Sequence, residues 1–251
     1  MNDIVLQTRG LYKSFGALVV ARDIDFSLTR GARHALIGPN GAGKTTFINL
    51  ISGALTATKG EIFLGGDDIT QLAEASRVKR GLARTFQINT LFSGLSVLEN
   101  LYLAVSEHMG AANVMLRPAG ARPDVIDRAE RLLETLQLSD DAGKTVAELP
   151  YGRQRLVEIA IALALEPRVL LLDEPAAGVP SGESHILLDA IDALPRDIAI
   201  LIIEHDMDVV FRFADAITVL ANGAVLATGS PKEIAGNADV RTVYLGERTY
   251  A

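Results

Sequence analysis

The sequence predicts an α/β protein. A mostly parallel core sheet is flanked by helices, with an antiparallel β part at the N-terminal side and a helical part inserted into the core. Three observations lead there. Continuous apolar strands, Ala35-Leu36-Ile37, Val169-Leu170-Leu171-Leu172 and Ile198 to Ile203, suit a parallel sheet covered on both faces. Helical patterns alternate with those strands at 182–194 and 207–214. Between 88 and 165 helical patterns run on without that alternation, as in Val125 to Leu138, where residues 125, 126, 129, 132, 133 and 136 are apolar.

Each element follows in order. Ile4-Val5-Leu6-Gln7, Leu18-Val19-Val20 and Ile24 to Leu28 read as strands of an antiparallel sheet, with turns at Gly10, Gly16 and Arg30-Gly31. A strand at 35–37 leads into a glycine-rich loop, and Thr46 to Ile51 start a helix. Glu61 to Leu64 form a strand ending at Gly65-Gly66. A loop is expected around Arg117-Pro118-Ala119-Gly120-Ala121-Arg122-Pro123. Leu149 to Arg155 open an apolar helix over 156–165, and a hairpin covers 216–228. The predicted organisation is one domain, 1–251, with an α/β core from 1–87 and 166–251 and a helical subdomain at 88–165.

Composition narrows the function classes. The chain has 251 residues, 49% of them hydrophobic, enough for a substantial core. No run of about 18 apolar residues is present, so no segment is expected to span a membrane. The N-terminus lacks the basic-then-apolar pattern of a secretory signal. Cysteine is absent, which excludes disulfides, thiolate metal sites and a cysteine nucleophile. The net charge of −7 argues against nucleic acid as the main partner. Arg77, Lys79, Arg80 and Arg84 lie close together, as a local basic patch or as a solvated helix face.

The most informative stretch is Gly38-Pro39-Asn40-Gly41-Ala42-Gly43-Lys44-Thr45, which matches G-x-x-x-x-G-K-[ST] between a strand and a helix. Glycines let the backbone wrap a phosphate chain, and its amides and the helix dipole meet the anion. Lys44 is placed to reach the β- and γ-phosphates, and the Thr45 hydroxyl to sit on Mg²⁺. Downstream, Asp173 and Glu174 end an apolar strand, where ligands of open α/β sheets bind. Asp173 is suited to hold Mg²⁺, and Glu174 to orient and deprotonate a water. His205, in Ile203-Glu204-His205-Asp206, ends another apolar strand and can bond the γ-phosphate or the water. Gln87 follows Arg84-Thr85-Phe86 where core gives way to insertion, and its amide can bind Mg²⁺ or water. Leu149-Pro150-Tyr151-Gly152-Arg153 is a second helix opening, either an anion site closing over another chain's nucleotide or an ordinary turn. His34, His108 and His185 have no comparable context.

Taken together, these motifs resemble the nucleotide-binding subunit of ATP-binding cassette (ABC) transporters, in order along the whole chain. Gly38 to Thr45 is similar to the Walker A loop, Gln87 to the Q-loop, Leu149 to Arg153 to the signature, Val169 to Glu174 to Walker B, and His205 to the switch histidine. Residues 176–181 occupy the D-loop position. The finer resemblance is to the longer of the two paralogous ATPases of branched-chain amino acid uptake systems. It rests on Arg84-Thr85-Phe86-Gln87, Asp173 to Gly178, Ile203 to Met207 and the tail Val243 to Glu247.

The resemblance implies a P-loop ATPase that hydrolyses ATP with Mg²⁺ to power solute import. ATP would be held by Phe15, stacking adenine, by Gly38 to Thr46, and in trans by Pro150, Tyr151, Gly152 and Arg153. Mg²⁺ would be held by Thr45, Gln87 and Asp173, and Glu174, His205, Lys44 and Gln87 would carry catalysis. The implied partners are a second ABC ATPase, identical or paralogous, two membrane permease subunits and an external solute-binding protein. The implied location is the cytoplasmic face of the inner membrane. Two departures stand out. Pro150 replaces the signature serine, and Pro180 stands where the D-loop aspartate is usual. Both fit a weaker signature face in an asymmetric heterodimer. The alternative readings are a soluble ABC ATPase outside transport, or a regulatory subunit with a degenerate site.

Overall fold

In the computed structural model, which describes residues 3–85, 91–110 and 122–245, the chain folds as two compact units. The first takes Met1–Arg84, Arg168–Pro175 and Pro195–Ala251; the second takes Thr85–Pro167 and Ala176–Leu194. The sequence places the helical part at 88–165, whereas the second unit also takes in residues 176–194. Gln87 lies outside the described residues, as do Phe86 and most of the loop expected around 117–123.

The strands of the first unit are β1 (Ile4–Phe15), β2 (Leu18–Thr29), β3 (Arg33–Ile37), β4 (Lys59–Leu64), β5 (Asp67–Asp68), β6 (Leu82–Arg84), β7 (Val169–Asp173), β8 (Ala199–Ile203), β9 (Ala216–Ala221) and β10 (Ala224–Gly229). Its helices are α1 (Lys44–Ser52) and α2 (Glu74–Val78), then α7 (Met207–Phe213), α8 (Pro231–Gly236) and α9 (Ala238–Leu245); α3 to α6 belong to the second unit. One sheet is antiparallel, in the order β2-β1-β4-β5. The other runs β10-β9-β3-β8-β7-β6, parallel throughout except for the β9–β10 hairpin.

Side-chain pattern explains both sheets. Every residue of β3, β7 and β8 is buried, as the continuous apolar runs require. In β2 burial alternates over Ile24, Phe26 and Leu28, so there only one face meets the core. Phe47, Ile48, Leu50 and Ile51 of α1 join Leu36, Leu171 and Leu201 in one apolar cluster with the antiparallel sheet's inner face. Gly10 does not end a strand as expected. It has a φ of 53° at a register shift in β1, so the strand bulges and continues to Phe15.

Arg77, Lys79, Arg80 and Arg84, read as a local basic patch or a solvated helix face, form neither as a set of four. Arg77 is buried and donates to the carbonyls of Leu50, Ile51, Leu72 and Thr70, closing the C-terminal end of α1. Arg84 is likewise turned inward, leaving only Lys79 and Arg80 in solvent.

In the second unit α3 (Val97–His108) packs on α4 (Pro123–Thr135) and α5 (Tyr151–Ala164), and α5 packs on α6 (Ser181–Asp192). A capping box of Ser96 and Glu99 starts α3. Leu101, Val105, Val125, Ala129, Leu133, Val157 and Ala160 are buried where these helices meet. α5 starts at Tyr151, several residues before the apolar run that announced it, because Pro150 serves as its N-cap.

Candidate active site

Three strand ends bring the chemistry together at the carboxyl edge of the parallel sheet. β3 lies beside β8, and β8 beside β7. Ile203 is in register with both Leu36 and Asp173, so the loop after β3 and the acids after β7 flank the turn that carries His205.

The loop after β3 is shaped by two glycines. A Cβ on Gly38 would lie 2.3 Å from the Leu220 carbonyl oxygen, and one on Gly43, at φ 101°, would lie 2.8 Å from that of Val20. Only a bare backbone fits between these strands. Gly43 then caps α1, and Phe47 N–H donates to its carbonyl at 2.8 Å. The amides of Lys44, Thr45 and Thr46 open the helix without a carbonyl one turn earlier, a ready anion seat. Lys44 Nζ donates back to the carbonyls of Gly38, at 2.6 Å, and Pro39, at 3.1 Å. Burial lowers the Lys44 pKa, while the Glu174 and Asp173 carboxylates act in the opposite direction.

Opposite stand the acids. Asp173 is buried at the end of β7, and its Oδ2 accepts from Arg84 Nη2 at 2.7 Å. Glu174 sits in the left-handed region at φ 47°, with its N–H donating to the Ile203 carbonyl at 2.9 Å. That conformation is costly for a residue with a Cβ and is typical of functional turns. His205 Nδ1 lies 3.7 Å from Glu174 Oε1 and 3.8 Å from Glu204 Oε2, with the ring 65% exposed and free to meet a ligand. Phe15 is exposed at the tip of the β1–β2 hairpin, with the Lys13 ammonium 4.9 Å from its ring centroid.

Comparison with known proteins gives this edge a family. Residues 21–177 match the model of the ABC transporter family, and residues 224–249 match that of the branched-chain amino acid ATP-binding cassette transporter. The chain is 37% identical to the high-affinity branched-chain amino acid transport ATP-binding protein BraF of Pseudomonas aeruginosa, over 98% of this chain and 100% of that one. It is 37% identical, with the same coverage, to LivG of Escherichia coli K12. A crystal structure of an ABC-transporter cassette in its ADP conformation superposes with a TM-score of 0.85, at 32% identity, covering 97% of this chain and 99% of that one. A nucleotide-free cassette gives 0.84 at 31% identity, covering 97% and 100%.

The chain belongs to the ABC transporter family. It is an ATPase of that family, with the α/β cassette fold expected from the sequence. In the second unit of the cassette, Arg153 and Gln154 N–H groups donate to the Pro150 carbonyl. The Arg153 guanidinium donates to the Gln137 carbonyl at 2.6 Å and lies 3.4 Å from Asp141, so it is engaged within its own unit. The Tyr151 ring lies against Gly178, where a Cβ would come within 3.2 Å of it.

Among the described residues no group of three or more His, Asp or Glu gathers as a metal cage. The Thr45 hydroxyl and the Asp173 carboxylate are hard oxygen donors. They fit a magnesium ion that takes few protein ligands and shares substrate phosphates. Sequence reasoning missed Asn49 and Arg84 as part of this edge. No local signal marks them, because the acceptors of Arg84 lie 35 and 89 residues away in sequence.

Proposed function

We propose that this ATPase powers import of branched-chain amino acids or closely related small solutes through partner membrane subunits. The carrying observation is the meeting of the phosphate loop, Asp173-Glu174 and His205 on adjacent strand ends. The names of the 37%-identical relatives support the solute class. The cassette is read as one domain whose helical subdomain carries the signature segment. It works as a pair with a second cassette, identical or paralogous, whose signature residues cover the phosphates. Two permease subunits and an external solute-binding protein complete the complex at the cytoplasmic face of the membrane. Among the described residues no helix is long and apolar enough to cross a membrane, which fits a peripheral subunit.

Catalysis is positioning and charge stabilisation. Lys44 leaves the carbonyls of Gly38 and Pro39 for the phosphates, and the amides that open α1 hold the rest of the anion. Phe15 stacks on the adenine. Thr45, Asp173 and Gln87 hold Mg²⁺, which neutralises phosphate charge when bound. Glu174 orients the attacking water and takes its proton, and His205 donates to the γ-phosphate or the water. Glu174→Gln keeps the shape of the turn but removes the base. The complex carrying it should bind ATP, stay dimeric and lose turnover by about a hundredfold to ten-thousandfold, the usual range of general-base effects. ATP hydrolysis at the wild-type rate in that complex would remove Glu174 from the base role. Uptake assays with leucine, isoleucine, valine and unrelated solutes test the transport assignment.

A further inference from the structure

Arg84 ends β6 with its guanidinium turned into the first unit. Nη2 donates to Asp173 Oδ2 at 2.7 Å, and Nη1 donates to Asn49 Oδ1 at 2.7 Å. The side chains of Arg84 and Asp173 are 13% and 3% exposed, so water screens the pair little. Asn49 lies four residues after Thr45 on α1, so the two share a helix face. One planar fork therefore ties the helix that carries Thr45 to the strand that carries Asp173. Among the described residues Asp173 Oδ1 accepts no hydrogen bond, which leaves it for another ligand.

We infer that Arg84 is a positioning residue that sets the separation of Thr45 and Asp173, two of the oxygen donors of the magnesium site, by clasping α1 to β7. This rests on the reading of those residues given under Proposed function. The arginine holds one carboxylate oxygen and leaves the other for the metal. Two nitrogens at fixed spacing are needed, because Asn49 and Asp173 are met at once. A lysine offers one point charge and can satisfy only one of them at full strength. Among the described residues the guanidinium donates to Asn49 and Asp173 and to no residue of the 38–44 loop, so its contribution falls on the metal rather than on the phosphates.

The test uses the full-length chain. Binding of a fluorescent ATP analogue is titrated with Mg²⁺ for wild type, Arg84→Ala, Arg84→Gln and Arg84→Lys, and in EDTA for each. Melting temperatures are taken without nucleotide. In Arg84→Ala and Arg84→Gln the half-saturating Mg²⁺ concentration should rise about tenfold or more, the usual scale for a group that orients a metal ligand. Metal-free nucleotide binding should stay within about twofold, and Arg84→Lys should recover part of the loss. A control, Ile62→Ala in the antiparallel sheet, should lower the melting temperature without moving the Mg²⁺ midpoint. An unchanged Mg²⁺ midpoint in a folded Arg84→Gln chain overturns the inference. So does a shift that Ile62→Ala reproduces at equal melting temperature. If Arg84→Ala does not fold, the Gln and Lys variants decide. A wild-type chain that binds no magnesium nucleotide defeats the reading of the site itself, and this inference with it.

Discussion

A single missing Cβ does different things at neighbouring positions of the phosphate loop. At Gly38 the constraint is a wall, the Leu220 carbonyl 2.3 Å from where a methyl would go. At Gly41 the surroundings are open, with no atom within 4 Å, and the constraint is the backbone angle alone, φ 79°. Gly41→Ala should therefore lose about 1–2 kcal/mol, the cost of a left-handed non-glycine residue. Gly38→Ala should lose about 1–3 kcal/mol through overpacking against an ordered strand. It should also weaken nucleotide binding, because relieving the clash moves the backbone that carries the amides. Denaturant unfolding and a nucleotide titration of both variants check this. Normal nucleotide affinity in Gly38→Ala would show that the loop tolerates the shift. Glu174 is the opposite case, a residue with a Cβ held at φ 47° where glycine would sit more easily. Its carboxylate must be worth the strain, which fits the role proposed for it.

At the scale of elements, α1 is held at both ends by other segments. Gly43 and the loop open it, and Arg77 closes it, donating to the carbonyls of Leu50 and Ile51 at 2.7 and 2.9 Å. Two more bonds from the same guanidinium, to Leu72 and Thr70, fasten the turn before α2. Burial lowers the Arg77 pKa, opposed by Asp68 and Glu74, yet an arginine so bonded keeps its charge. Arg77→Met keeps most of the apolar stem and removes all four bonds. It should cost about 3 kcal/mol, since buried carbonyls lose charged donors, and guanidinium chloride unfolding measures it. A cost below about 0.5 kcal/mol, the level of a neutral surface substitution, would mean that water replaces the donors. Arg77 also marks where the sequence became unreadable. The phosphate loop, the acid pair and His205 were legible because their chemistry is local: each motif spans a few residues beside an apolar strand. Arg77 and Arg84 read as surface charge, because nothing near them in sequence shows that their acceptors lie 26 and 89 residues away. The bulge at Gly10 was hidden for a related reason, since a glycine within a strand and one between strands look the same without the partner strand.

For the molecule as a whole, the pH response should reflect a group remote from catalysis. His34, the second residue of β3, is buried, its Nε2 meets Thr218 Oγ1 at 2.8 Å, and its ring stands edge-on to Phe26 with centroids 5.1 Å apart. Thr218 Oγ1 in turn meets Thr228 Oγ1 at 2.9 Å, so the histidine joins β3 to the β9–β10 hairpin. Burial lowers its pKa from 6.5 to about 4. The folded chain therefore keeps this ring neutral at pH values where the unfolded chain has protonated it. The unfolded state binds more protons, so stability falls as pH drops from 6.5 towards 4 and gains nothing from this group above 6.5. With about 1.4 kcal/mol per pKa unit, the full loss is about 3 kcal/mol by pH 4. Carboxylates titrate in part of the same range, so the comparison must be differential. His34→Gln removes the titration and keeps an amide for Thr218. The unfolding free energy of wild type minus that of His34→Gln should be constant from pH 8 to 7 and then fall by about 1.4 kcal/mol per pH unit below 6.5, levelling off below pH 4. A difference that stays flat from pH 7 to 4 would show that water reaches the ring and that β3 is less tightly sealed than its burial implies.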